Sequence, residues 1–196
     1  MRLIPTIITF QSNFGVIMQQ ETRITQERIG VLIGKKGLTK REIEEKTKTR
    51  IQVDSEEGLV SIEGEDADGF IQAVETVKAI ARGFSPERAA ILLEDPDLYL
   101  EIIELSEYAG SDSKIERIRG RIIGRDGRSR AQIQDMTATE ISVYGKTVGI
   151  IGTIEQVKIA REAVEMLIKG VSHESVFSFL EKKRRELKQD MISYYY

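Results

Sequence analysis

Two glycine pairs sit among basic side chains in this sequence: Ile33-Gly34-Lys35-Lys36-Gly37 and, ninety positions later, Ile123-Gly124-Arg125-Asp126-Gly127. Residues of these types at this spacing offer binding chemistry and no bond-making chemistry. A glycine lets an anion reach the main chain without a Cβ in the way. A helix starting just after the pair turns its unpaired amides and positive dipole end toward the same spot. Arg28, Lys35, Lys36, Lys40 and Arg41 surround the first pair, and Arg121, Arg125, Arg128 and Arg130 the second, so each loop reads as a cradle for phosphate. Asp126 is the discordant member, an acid where the anion would lie. It is expected to cap a loop amide and face away.

Catalytic readings lack the residues they need. There is no cysteine, which removes thiolate nucleophiles, thiolate metal sites and disulfides, and the single histidine, His173, gives no basis for a histidine metal site or a serine–histidine triad. Neither G-x-x-x-x-G-K-[ST] nor G-x-G-x-x-G after a strand occurs. The carboxylates Glu44, Glu45, Glu56 and Glu57 read as solvated faces. The expectation is therefore no enzyme, no metal and no cofactor.

The two motifs belong to a longer repeat. Arg28–Val53 laid over Ile118–Val143 without a gap gives nine identities in twenty-six positions: Gly30, Ile33, Gly34, Gly37, Ile43, Thr47, Thr49, Ile51 and Val53. Backbone-shaping and core-forming residues recur together, which indicates one supersecondary unit used twice. Gly30 and Gly120 are expected to mark close helix packing. Formal net charge is −3 over 196 residues, yet seven bases (Lys114, Arg117, Arg119, Arg121, Arg125, Arg128, Arg130) face two acids (Glu116, Asp126) between Lys114 and Arg130. Acids collect instead in Glu56–Asp68 and Glu94–Glu107. A mildly acidic chain with basic patches at both glycine loops points to a polyanion bound at those two places.

Periodicity supplies the elements that position the loops. In the first unit Val16–Ile24 reads as a strand, and Thr25 caps a helix ending at Leu32-Ile33. After the loop, Thr39 and Glu42 suggest a capping box. Arg50–Asp54 and Leu59–Glu63 form a hairpin, and Phe70, Ala73, Val74, Val77 and Ile80 line a last helix closed by Gly83. The second unit repeats the order with Leu98–Leu105, a helix capped by Ser113 and Glu116, the loop, a helix capped by Ser129 and Gln132, a hairpin across Gly145-Lys146, and a helix with Val157, Ala160, Val164 and Leu167 ending at Gly170. Ser85-Pro86-Glu87 opens a connector helix. His173–Leu187 reads as an amphipathic helix with Val176, Phe177 and Leu180 inward, and His173 as an ordinary member of it. Residues 1–15 read as an arm or extra strand, 16–83 as the first domain, 84–96 as the connector, 97–170 as the second domain and 171–196 as a helix and tail. Tyr194–Tyr196 are taken as a frayed end.

The I-G-x-x-G loop between two helices, in the order strand, helix, loop, helix, strand, strand, helix, resembles the KH domain in its type I form (βααββα). The resemblance covers roughly residues 16–83 and 97–170. It implies an α+β fold of two type I KH domains, each a three-stranded antiparallel sheet packed on three helices, joined by a helical connector. It also implies that each loop clamps about four nucleotides of single-stranded RNA. The phrases RIGVLIGKKG and RIRGRIIGRDGRSR, the tandem arrangement and the basic terminal helix are similar to archaeal members of the partner-of-Nob family of small-subunit assembly factors. That likeness implies a cytoplasmic, non-enzymatic protein that binds the 3′ region of small-subunit rRNA and acts with a Nob-type endonuclease and an initiation factor subunit. Many KH domains carry an aliphatic residue where this chain has Lys40 and Arg130, so the helix start here is more basic. Two other readings remain open: a scaffold that holds a nuclease or translation factor, and an mRNA-binding regulator.

Overall fold

The computed structural model describes residues 7–12 and 15–195, with side chains from 17 to 189. The chain divides into two compact units, Met1–Pro96 and Asp97–Tyr196.

The first unit opens with β1 (Ile7–Ser12) and β2 (Gly15–Arg23), an antiparallel pair that puts Ile7 opposite Gln20. Part of the N-terminal arm is thus an extra strand, while residues 1–6, 13 and 14 lie outside the described residues. Next come α1 (Gln26–Ile33), α2 (Leu38–Thr47), β3 (Arg50–Asp54), β4 (Leu59–Gly64) and α3 (Ala67–Ala81). The sheet order is β1-β2-β4-β3, all antiparallel. Apolar residues alternate along β4 and bury Val60 and Ile62; Leu32, Ile43, Phe70, Val77 and Ile80 of the same unit are buried too. Each such side chain contributes about 1.5–3 kcal/mol when fully buried.

Ser85 caps the connector as its sequence suggests: Oγ accepts from the Arg88 amide at 3.4 Å, and Pro86 opens α4 (Pro86–Ala89), which is followed by α5 (Ile91–Glu94). Ala89 and Leu92 are buried, and both short helices pack against α3 as part of the first unit.

The second unit runs β5 (Tyr99–Glu104), α6 (Asp112–Ile123), α7 (Arg128–Thr137), β6 (Glu140–Tyr144), β7 (Thr147–Gly152), α8 (Ile154–Ile168) and α9 (His173–Tyr195). Its three-stranded antiparallel sheet has the order β5-β7-β6. In both units the hairpin strand nearer the C-terminus therefore lies in the middle, which is the type I arrangement. The core joins Ile103, Ile115, Ile118, Ile122, Ile133 and Ile141 with Val164 and Leu167 of α8, and α9 adds Val176 and Leu180. Phe177 packs at its edge.

The recurring threonines have a structural reason. Thr47 Oγ1 donates to the Ile43 carbonyl at 2.7 Å and meets Thr49 Oγ1 at 2.8 Å; Thr137, Ile133 and Thr139 repeat the arrangement at the same distances. Each pair fastens the end of α2 or α7 to the following strand. The helix ends recur as well. Gly83 and Gly170 take φ of 95° and 91°, and the amides of Phe84 and Val171 reach back to the carbonyls of Ala79 and Met166. Both are Schellman ends, for which glycine supplies the left-handed residue.

Three expected caps are placed differently. α2 and α7 start at Leu38 and Arg128, with Gly37 and Gly127 at their N-caps, so Thr39 and Ser129 stand inside the first turn and cap nothing. α6 starts at Asp112 after Ser111, which leaves Ser113 inside the helix too. The capping carboxylate and box that do form are Asp66, accepting from the Gly69 amide at 2.8 Å, and Thr153 with Gln156, whose Oε1 accepts from the Thr153 amide at 3.0 Å.

Candidate nucleic-acid interface

Each glycine loop is the corner between two helices. Gly34 and Gly124 end α1 and α6 at φ 71°, ψ 177° and φ 73°, ψ 176°, a region open essentially to glycine alone. A Cβ on Gly34 would lie 2.2 Å from Thr39 Oγ1, and one on Gly124 would lie 2.6 Å from Ser129 Cβ. This contact is what Thr39 and Ser129 do instead of capping: they fill the inside of the corner. The second glycine of each pair has a different reason. Gly37 and Gly127 are left-handed at φ 77° and 75°, but a Cβ on Gly37 meets nothing within 4 Å, and on Gly127 only Arg130 Nη2 at 3.8 Å. The first glycine is required by the fold, and the second leaves main chain open to an approaching group.

The residues between them are exposed. Lys36 and Asp126 both take left-handed backbone, at φ 55° and 54°. Asp tolerates that conformation better than Lys. No hydrogen bond from Asp126 to a loop amide is found among the described residues, so the expected cap is corrected: the carboxylate stands in solvent, and backbone preference is its structural rationale. Lys35, Lys36, Arg41, Arg125 and Arg128 are exposed too, and none has an ion-pair partner among the described residues. Arg130 folds back beside Gly127. Its repeat partner Lys40 is instead held 2.9 Å from Glu44, whose Oε1 also accepts the Ile51 amide at 2.7 Å. The second loop carries Gln134 at the corresponding place, accepting from the Ile141 amide at 3.1 Å with no charge to neutralise Arg130.

Arg28 and Arg121 do not present their charge at the loops. Arg28 donates Nε to the Ile80 carbonyl at 2.8 Å and Nη2 to Phe84 O. Arg121 donates Nε to Leu167 O at 3.1 Å and Nη2 to Val171 O at 2.6 Å. These are corresponding carbonyls at the two Schellman ends, reached from adjacent turns of corresponding helices. Arg28 clamps α1 to the C-terminal end of α3, and Arg121 clamps α6 to the C-terminal end of α8. The expected packing role of Gly30 and Gly120 is also corrected: both are exposed, and a Cβ on either meets nothing within 4 Å.

Sequence reasoning also missed His173. Its Nε2 lies 2.8 Å from the Arg121 carbonyl, joining the start of α9 to the last turn of α6. The signal that could have found it is that the chain's only histidine falls just after a helix-ending glycine.

Comparison with known proteins matches this geometry. A KH-domain family model covers residues 19–79, and a model for the second KH domain of PNO1, described as a eukaryotic-type KH domain of type I, covers residues 99–185. KH domain-containing protein MJ0443 of Methanocaldococcus jannaschii is 44% identical over 184 residues, spanning 90% of this chain and 80% of that one. A solved aDim2p chain from Pyrococcus horikoshii, in a structure described as an a/eIF2alpha-aDim2p-rRNA complex, is 47% identical with a TM-score of 0.81, covering 87% of this chain and 96% of its own. This chain belongs to the tandem KH family of PNO1 and Dim2. A eukaryotic relative, the pre-rRNA-processing protein PNO1 of Candida albicans, is 30% identical over 125 residues, which cover 63% of this chain and 45% of that protein. The chain thus aligns with less than half of that longer relative. The family model for the second domain extends to Arg185, so the first half of α9 is part of the recognised unit.

Proposed function

We propose that this protein binds single-stranded RNA through both glycine loops and serves, without catalysis of its own, in small-subunit rRNA processing, with the 3′ region of that rRNA as its target and the cytoplasm as its place of action. The observation that carries the reading is the repeated corner: open main chain at Gly37 and Gly127, beside Lys35, Lys36, Arg41, Arg125 and Arg128, which no acid pairs with among the described residues. Phosphates fit the loops, and the half-buried Ile33 and Val53, or Ile123 and Val143, offer apolar surface to unpaired bases. Among the described residues no group of carboxylates or imidazoles is arranged to hold a metal ion, and none of their helices is long and apolar enough to cross a membrane.

Partner binding is proposed alongside. The archaeal relative is described together with rRNA and an initiation factor subunit. A protein partner that shares the complex with RNA must use a surface other than the two corners. A Nob-type endonuclease is proposed as a further partner on the family likeness alone.

The test is fluorescence anisotropy with a labelled oligonucleotide of the rRNA 3′ end across a salt series. Log affinity should fall against log salt with a slope of roughly 0.7 per phosphate neutralised. Arg125→Ala with Arg128→Ala should lower that slope by about one to one and a half, as should Lys35→Ala with Lys36→Ala. A slope unchanged in both double variants would remove the loops from the interface.

A further inference from the structure

We infer that His173 is a positioning residue of the second RNA cradle, acting through the Arg121 main chain. This rests on the reading that the second loop binds RNA.

Arg121 stands in the last turn of α6, three residues before Gly124. The last carbonyls of a helix have no partner within it. Here the Gly120 carbonyl is taken by the Gly124 amide at 2.9 Å, and the next one, of Arg121, receives His173 Nε2 at 2.8 Å. The same residue's guanidinium grips Leu167 O and Val171 O, on either side of the turn that leads into α9. The last turn of α6 is therefore held twice by the α8–α9 junction, once by side chain and once by main chain. The His173 ring is kept in place by Phe177, one turn along α9, with centroids 6.2 Å apart. The buried Val176 and Leu180 seat that helix in the core.

The first unit keeps only half of this brace. Arg28 supplies the guanidinium clamp, but from one turn further from its loop. The chain has no second histidine to reach the main chain there. The two cradles therefore differ in what fixes them.

The test uses the full chain. His173→Ala should raise hydrogen exchange at the amides of Gly124 to Gly127 several-fold and leave Gly34 to Gly37 unchanged. It should weaken binding of the rRNA 3′-end oligonucleotide about three- to tenfold, the loss of one hydrogen bond, without changing the salt slope, since no phosphate contact is removed. His173→Gln, whose Nε2 can reach the same carbonyl, should restore both readouts to within twofold. Equal exchange at both loops in His173→Ala, or failure of Gln to rescue when both variants fold, overturns the inference. If wild-type protein binds no RNA, the functional reading falls, but the exchange comparison still decides whether His173 holds the loop.

Discussion

At the scale of single residues, the six glycines at and just before the two loops sort into three kinds. Gly34 and Gly124 are required by the contacts of Thr39 and Ser129, and Gly37 and Gly127 by left-handed backbone beside open space. Gly30 and Gly120 have neither reason. A glycine inside a helix lowers stability by about 0.8–1 kcal/mol relative to alanine, and the fold around these two offers no compensation. Both stand one turn before a loop with open space beside them, where the proposed RNA would meet main chain. Gly30→Ala and Gly120→Ala should each raise the unfolding free energy by up to about 1 kcal/mol in a denaturant titration. Each should also weaken RNA binding. Higher stability with unchanged affinity would show that no ligand uses the gap.

At the scale of elements, the order of strands and helices was legible because periodicity and turn residues are local. The nine repeat identities located both corners, and the threonines among them prove to be the fastening between helix end and strand. Thr137→Val should destabilise by about 1–3 kcal/mol, since it leaves the buried Thr139 hydroxyl without a partner. Replacing both threonines with valine should cost less than twice that, and a double-mutant cycle in denaturant checks it. The role of the arginines was not legible. Arg28 and Arg121 read as phosphate ligands, yet their acceptors lie 46 to 56 residues away in sequence, and no local pattern announces such a contact. The caps failed for a related reason. Thr39-x-x-Glu42 has the spacing of a capping box, but a left-handed glycine at the N-cap starts that helix two residues sooner than the box allows. Thr153-x-x-Gln156 has equal spacing and does form one.

At the scale of the whole molecule, a chain of net charge −3 gathers uncompensated cations at two corners, one in each unit. Charge elsewhere discourages non-specific contact with RNA, so attraction is concentrated where the main chain is open. On the proposed reading, affinity should fall when either loop is disabled. The most direct measurement is two-dimensional NMR of the full chain titrated with the rRNA 3′-end oligonucleotide. If both loops hold the RNA, the amides of Gly34 to Gly37 and of Gly124 to Gly127 should move most. Shifts confined to the sheets, with both corners silent, would contradict that reading.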